Sequence, residues 1–235
     1  MNIVVTGASR GIGLQIVKSL AVLQVNKIIG ISRNYKELVN LKDWCHKNSK
    51  TEFIPISYDF QQITFSEPKL SGIIRQHFTS IEILINNAGT LINKAFEIIS
   101  AEEINRIFTV NYFAPTLLIK NLLPLLKIGK AHVINISSMA GYQEARKFPG
   151  LSHYSASKAA LASITECLAE EYKNDGIVFN ALALGSVQTE MLSEAFPGLK
   201  ASTSPEEMGA YIANFAIEGK NLYNGRIIQV NSTTP

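Results

Sequence analysis

A regular alternation constrains this chain more than any other feature. Apolar runs of strand length, Asn2–Thr6, Lys27–Ser32, Thr51–Tyr58, Ile81–Ile85, Ala131–Ser137, Ile177–Leu184 and Arg226–Val230, are separated by longer segments. Those segments carry a helical period near residues 11–23, 35–47, 66–78, 100–127, 154–174 and 205–217. Near-continuous apolar strands need cover on both faces, and a helix after each strand both supplies it and returns the chain for a parallel neighbour. Right-handed crossovers leave few arrangements. The pattern predicts a single α/β domain over residues 1–235, a doubly wound sheet of seven parallel strands with helices on both faces.

Local chemistry sharpens some boundaries. Ser100 with Glu103 is a capping box that opens the helix over 100–127. Gly176 is placed to end the helix over 154–174. Asn224-Gly225 is a turn before the last strand.

Composition excludes several functions. The net charge is +3, with no dense basic run to hold nucleic acid or an anionic membrane. The longest apolar stretch, residues 116–128, is interrupted by Lys120, Asn121 and Lys127 and is too short to span a bilayer. Cys45 and Cys167 are too few for a disulfide framework, and the four histidines are scattered, so no metal site is expected. Reduced thiols and the lack of a signal-peptide pattern at the start lead to the expectation of a cytoplasmic protein.

The first strand runs into Thr6-Gly7-Ala8-Ser9-Arg10-Gly11-Ile12-Gly13, with a helix directly after. Glycines let the backbone approach a pyrophosphate, and the free N–H groups of the helix start supply donors. A tight turn without a ligand would look similar. Further on, Tyr154 and Lys158 stand at i and i+4, so both project from one helix face. A lone pair of this kind is commonly just an exposed helix contact. Here it follows a strand ending in Ser137-Ser138 and shares a chain with the glycine turn.

Together, T-G-x-x-x-G-x-G and Tyr-x-x-x-Lys resemble the short-chain dehydrogenase/reductase family in its compact, single-domain Rossmann branch. The resemblance implies hydride transfer between a nicotinamide nucleotide and a small carbonyl or alcohol substrate, with Tyr154 as acid/base and Lys158 also binding the nicotinamide ribose. Ser138, followed at +3 by Gly141, matches the hydroxyl that polarises the carbonyl. Asn111 matches the asparagine whose main chain holds a water in a relay to the lysine. Pro115 adds a physical reason, because it has no N–H for the carbonyl of Asn111, although an ordinary kinked helix would share that property.

Gly7, Ser9, Arg10, Gly11, Ile12 and Gly13 are thus expected to hold the pyrophosphate end. Asp59-Phe60 resembles the adenine-binding position, although an Asp at a strand end can equally cap a turn. Asn86-Asn87-Ala88-Gly89 matches the family's N-A-G motif. After the sixth strand the usual Pro-Gly is Leu184-Gly185, but Val187 and Thr189 remain placed for the nicotinamide carboxamide. The usual Val-Asp-Gly near the end is Val230-Asn231-Ser232. Residues 143–150, longer than usual in the family, read as a loop at the substrate mouth, and 190–204 as a short lid.

The second strand ends Ser32-Arg33-Asn34, without the acid that would bind a ribose 2′-hydroxyl. Arg33 and Arg10 together would suit a 2′-phosphate, so NADP(H) is expected over NAD(H), unless Arg33 is a solvated surface charge. A phenol lowered by about three units needs about 4 kcal/mol, which an ammonium about 4 Å away would supply at an effective dielectric of 20. Lys158 is therefore expected to lower Tyr154. The resemblance also implies a homodimer or homotetramer, built through the helices over 100–127 and 154–174. A non-catalytic nucleotide-binding sensor is the competing function. A ketoreductase of carrier-bound acyl chains would need a basic patch, and none stands out.

Overall fold

The computed structural model describes residues 1–63 and 69–231. The expected helix start at 66–68 and Ser232 lie outside the described residues. Seven strands, β1 (Asn2–Thr6), β2 (Lys27–Ser32), β3 (Glu52–Ser57), β4 (Ile83–Asn86), β5 (His132–Ser138), β6 (Val178–Leu184) and β7 (Arg226–Val230), form one sheet. Its order is β3-β2-β1-β4-β5-β6-β7, and all neighbours are parallel. The expected doubly wound Rossmann-like architecture is present.

Alternate residues of each strand face opposite sides. Ile3, Val5, Ile83 and Ile85 join α1 (Gly11–Val22), α2 (Tyr35–Asn48) and α8 (Pro205–Glu218) in one buried cluster. Val4, Ile29, Leu84 and Val133 join α3 (Lys69–His77), α5 (Ala114–Gly129) and α6 (Ser152–Glu171) in another. Each fully buried Leu or Ile contributes roughly 1.5–3 kcal/mol by leaving water, so these two layers hold the sheet between them.

The expected helix over 100–127 is two helices joined by a widened turn. α4 (Ala101–Phe108) begins with the Ser100–Glu103 capping box, and a π-helical turn, Thr109–Phe113, links it to α5. The Ala114 N–H reaches back five residues to the Thr109 carbonyl. Pro115, with no N–H and a ring that crowds the preceding turn, is the physical cause of that widening. Gly176 closes the turn after α6 at φ 73°, and Asn224 accepts a hydrogen bond from the Phe179 N–H at 3.0 Å, as the turn reading requires.

Polar groups inside the core are paired across elements. His132 is fully buried; its Nδ1 lies 3.0 Å from the Ala216 carbonyl, and its Nε2 lies 3.0 Å from Asn180 Nδ2. The Ala216 carbonyl can only accept, so Nδ1 carries the proton and Nε2 accepts from Asn180. Burial pushes His132 down to about 4, so the ring is neutral in the folded protein.

Candidate active site

The cleft arises where the strand order changes direction. Loops leaving the C-terminal ends of β1 and β4 diverge there and open a crevice. Thr6 stitches the two loops together: its Oγ1 accepts from the N–H groups of Asn87 (3.0 Å) and Ala88 (2.9 Å). Asn87 returns the contact, donating from Nδ2 to the Thr6 carbonyl at 3.0 Å. Above this seam lies a cavity of about 1210 Å³.

One end of the cavity is the glycine turn. Gly7 and Gly11 adopt φ values of 70° and 53°, a region that side chains disfavour. A Cβ on Gly13 would sit 2.1 Å from the Gly7 carbonyl oxygen, so the turn closes only without one. Ser9, Arg10 and Ile12 complete this wall. No side chain caps α1, which leaves its first N–H groups facing the cleft. Arg33 also lines the cavity and is exposed. Arg10 pairs with Glu194 at 3.3 Å, both side chains more than half exposed. Asp59 does cap a turn, accepting from the Gln61 N–H at 3.0 Å, and it lines the cavity together with Phe60, Ala88 and Gly89.

The other end holds the tyrosine. β5 ends at Ser138 and a 3₁₀ turn follows, whose Gly141 packs so closely on α6 that a Cβ would come 2.7 Å from the Ala159 nitrogen. α6 then presents Tyr154 and Lys158 to the cavity. Ser137 and Ser138 divide their tasks. Ser137 Oγ donates to the Lys158 carbonyl at 2.9 Å and is buried, whereas Ser138 hydrogen-bonds Tyr154.

The expected effect of Lys158 on Tyr154 is not what the structure has. Burial pushes the phenol above its ordinary value, and the Ser138 hydrogen bond opposes that only in part. The ammonium stands 6.0 Å from the ring centroid and donates to the Ile136 carbonyl at 2.8 Å. Loss of water therefore outweighs the Ser138 hydrogen bond. Lys158 itself is lowered to about 8 by burial.

Asn111 is the one expected site residue outside the cavity wall. It is fully buried in the π turn and clasps Thr90, accepting from its N–H at 2.8 Å and donating to its carbonyl at 2.9 Å. It also donates to Ser157 Oγ at 3.0 Å. A Cβ on Gly89 would lie 3.5 Å from both Asn111 Oδ1 and Lys158 Nζ. The glycine thus keeps a small gap open between these groups.

The family pattern for short chain dehydrogenase matches residues 1–200. The chain belongs to this family. Its sequence is 36% identical over 193 residues to an L-xylulose reductase of Caenorhabditis elegans, covering 81% of this chain and 73% of that protein. It is 31% identical to a ketoacyl reductase of Nostoc, covering 99% and 80%. In fold it is similar to a 3-oxoacyl (acyl-carrier-protein) reductase of Agrobacterium tumefaciens solved with NADP bound, with a TM-score of 0.87 at 21% identity, covering 99% and 93%. The family is one of oxidoreductases.

In this short-chain dehydrogenase the mouth is bordered by three segments. The first is the loop after β4, the second is residues 142–151, and the third is the expected lid, which folds into α7 (Glu190–Ala195) and a return bridged at Val187–Thr203. Thr189 caps α7 while Val187 is buried, and both still line the cavity. Asn93 ties the segments together. Its Nδ2 donates to the Ala195 carbonyl at 2.9 Å, and a Cβ on Gly150 would meet its Oδ1 at 2.0 Å. Leu184 is buried and paired with Val230, and a Cβ on Gly185 would lie 2.4 Å from Asn231 Oδ1.

Ser32, Tyr58 and Asn93 escape a reading by motif. Ser32 Oγ is buried in the cavity wall without a hydrogen-bond partner among the described residues. Among the described residues no three His, Cys, Asp or Glu side chains gather as a metal site, and no helix is long and apolar enough to cross a membrane.

Proposed function

We propose that this protein reduces a ketone or aldehyde to an alcohol, or runs the reverse reaction, with NADP(H) as hydride carrier and Tyr154 as acid/base. The observation that carries the reading is one cavity with an uncapped helix start behind a glycine turn at one end and Ser138, Tyr154 and Lys158 at the other. The cavity suits a dinucleotide. Ser32 Oγ awaits a partner beside Arg33, and the gap over Gly89 faces the Lys158 ammonium. Lys158 would hold the nicotinamide ribose, the Asn87–Gly89 loop would pass beside the adenine ribose, Val187 and Thr189 would meet the carboxamide, and Arg10 and Arg33 a 2′-phosphate. The nicotinamide, when bound, supplies the hydride.

The chain's own residues supply the rest. Ser138 positions and polarises the carbonyl oxygen. A phenol raised above its ordinary value keeps its proton at neutral pH, and that is the form a carbonyl reduction consumes. Lys158, near 8, is placed to restore the charge balance once the proton has left. Reduced thiols at Cys45 and Cys167 suit a cytoplasmic setting. Assembly as a dimer or tetramer through α4–α5 and α6 belongs to the same reading, and Phe113 offers an exposed ring there.

A panel of ketones, aldehydes and diketones, with NADPH and NADH compared, tests the proposal. Turnover with NADPH is the expected result. Tight NADPH binding without turnover of any carbonyl would replace it with a binding-only function.

A further inference from the structure

The cavity extends past Tyr154 into a region walled by Met139, Ala145, Leu151, Leu192 and Phe196. Two polar side chains of the neighbouring segments, Lys147 and Gln188, do not line it and are engaged elsewhere. Lys147 Nζ donates to the Ala140 carbonyl at 3.1 Å and to that of Tyr142. Gln188 accepts from the Ala201 N–H at 2.8 Å and donates to Ser193 Oγ at 3.2 Å. The five apolar side chains offer nothing to the several hydroxyls of a sugar, each of which would lose water on entering against them.

Two cations remain. Arg146 is exposed on the mouth loop, with its guanidinium 5.8 Å over the half-exposed ring of Phe148. Lys200 lines the same cavity from the lid. Among the described residues neither forms an ion pair, whereas Arg10 at the other end is paired with Glu194. The acids that line the cavity lie at that other end too. Asp59 caps its turn, Glu37 accepts from Asn40 at 3.2 Å, and Glu190 Oε2 would be 3.5 Å from a Cβ on Gly11. Glu144 is exposed and does not line the cavity. The substrate end is therefore apolar in its walls and positive at its rim.

We propose that the substrate is an apolar carbonyl compound bearing an acid group, its body between the mouth loop and the lid and its carboxylate on Arg146 and Lys200. A guanidinium held over an aromatic ring is presented as a planar fork, the geometry that a carboxylate takes up through two hydrogen bonds. The inference rests on the carbonyl reductase reading. Hydride adds to the carbonyl carbon, the Tyr154 proton goes to its oxygen, and the oxo acid becomes a hydroxy acid with its carboxylate unchanged.

The test uses the full chain with NADPH and matched pairs of oxo acids and their methyl esters, with a ketose alongside. The acid is expected to exceed its ester in kcat/KM by about tenfold or more, the scale of one charge-assisted contact. Arg146→Ala and Lys200→Ala are each expected to lower that acid-to-ester preference by about tenfold. Equal rates for acid and ester, or a preference for the ketose, would overturn the proposal while leaving the reductase reading intact. A Lys200→Ala effect confined to the KM for NADPH would overturn the part given to Lys200. Absence of turnover across all three compounds would remove the reductase reading, and this inference with it.

Discussion

Lys158 Nζ donates to the main-chain carbonyl of Ile136 at 2.8 Å, across the step from β5 to α6. The hydrogen bond anchors the ammonium beneath the cavity floor, with the Tyr154 ring 6.0 Å away. Loss of water is the leading cause of the shift at both groups, and at the phenol the Ser138 hydrogen bond opposes it in part.

Lys158 has a measurable signature in stability. The folded protein releases its proton near 8, the unfolded chain near 10.5. Between these values the unfolded chain holds a proton that the folded protein has lost, so folding gains as pH rises through that window. Relative to Lys158→Met, the wild type is expected to gain about 3 kcal/mol between pH 7.5 and 10.5, at 1.36 kcal/mol per pKa unit. Urea denaturation across that range measures it; a constant difference between the two proteins would contradict the burial argument.

Tyr154→Phe removes the hydroxyl and keeps the ring. Carbonyl reduction is expected to slow by about 10²–10⁴-fold, the range for a positioned acid. The dissociation constant for NADPH, read by fluorescence titration, should stay within about twofold. A variant that retains turnover would show that the proton comes from elsewhere.

His132 predicts acid sensitivity. Its folded value, about 4, lies below the ordinary 6.5, so the unfolded chain takes up a proton first and stability falls as pH drops through that window. The full loss is about 3 kcal/mol. His132→Gln should flatten the slope between pH 7 and 5, where most carboxylates have yet to protonate. Thermal denaturation at several pH values, with an unchanged slope in the variant, would place the sensitivity in other groups.

Arg33→Ala is expected to raise the KM for NADPH by about tenfold or more and to change that for NADH little. Arg10→Ala should follow in the same direction. Glu194→Gln, by releasing Arg10 from its 3.3 Å ion pair, is expected to lower the KM for NADPH. Initial rates with both nucleotides decide it, and equal effects on the two would mean that neither arginine reads the 2′-phosphate.

Much of this was legible in the chain itself, because it is written in neighbouring residues. β1, β2 and β7 begin and end where their apolar runs do, and the Ser100–Glu103 box is formed as spelled. The glycine turn, Ser138, Tyr154 and Lys158 all reach one cavity. Two features misled. The spacing of Tyr154 and Lys158 says they share a face but not how much water each loses, so the phenol moved opposite to expectation. The periodic pattern over 100–127 hides the π turn, which depends on how Pro115 crowds its predecessors. Asn93 left no local signal at all, since its partner Ala195 is 102 residues away.

That asparagine carries a consequence for how the entrance works. Swinging α7 outward must either break the bond to Ala195 or drag the stretch around Asn93 along, and Gly150 leans on the same amide from the opposite bank. The three borders of the doorway are knotted at one side chain. Any outward movement of α7 is therefore felt at the Asn93 amide as well as at the Arg10–Glu194 ion pair.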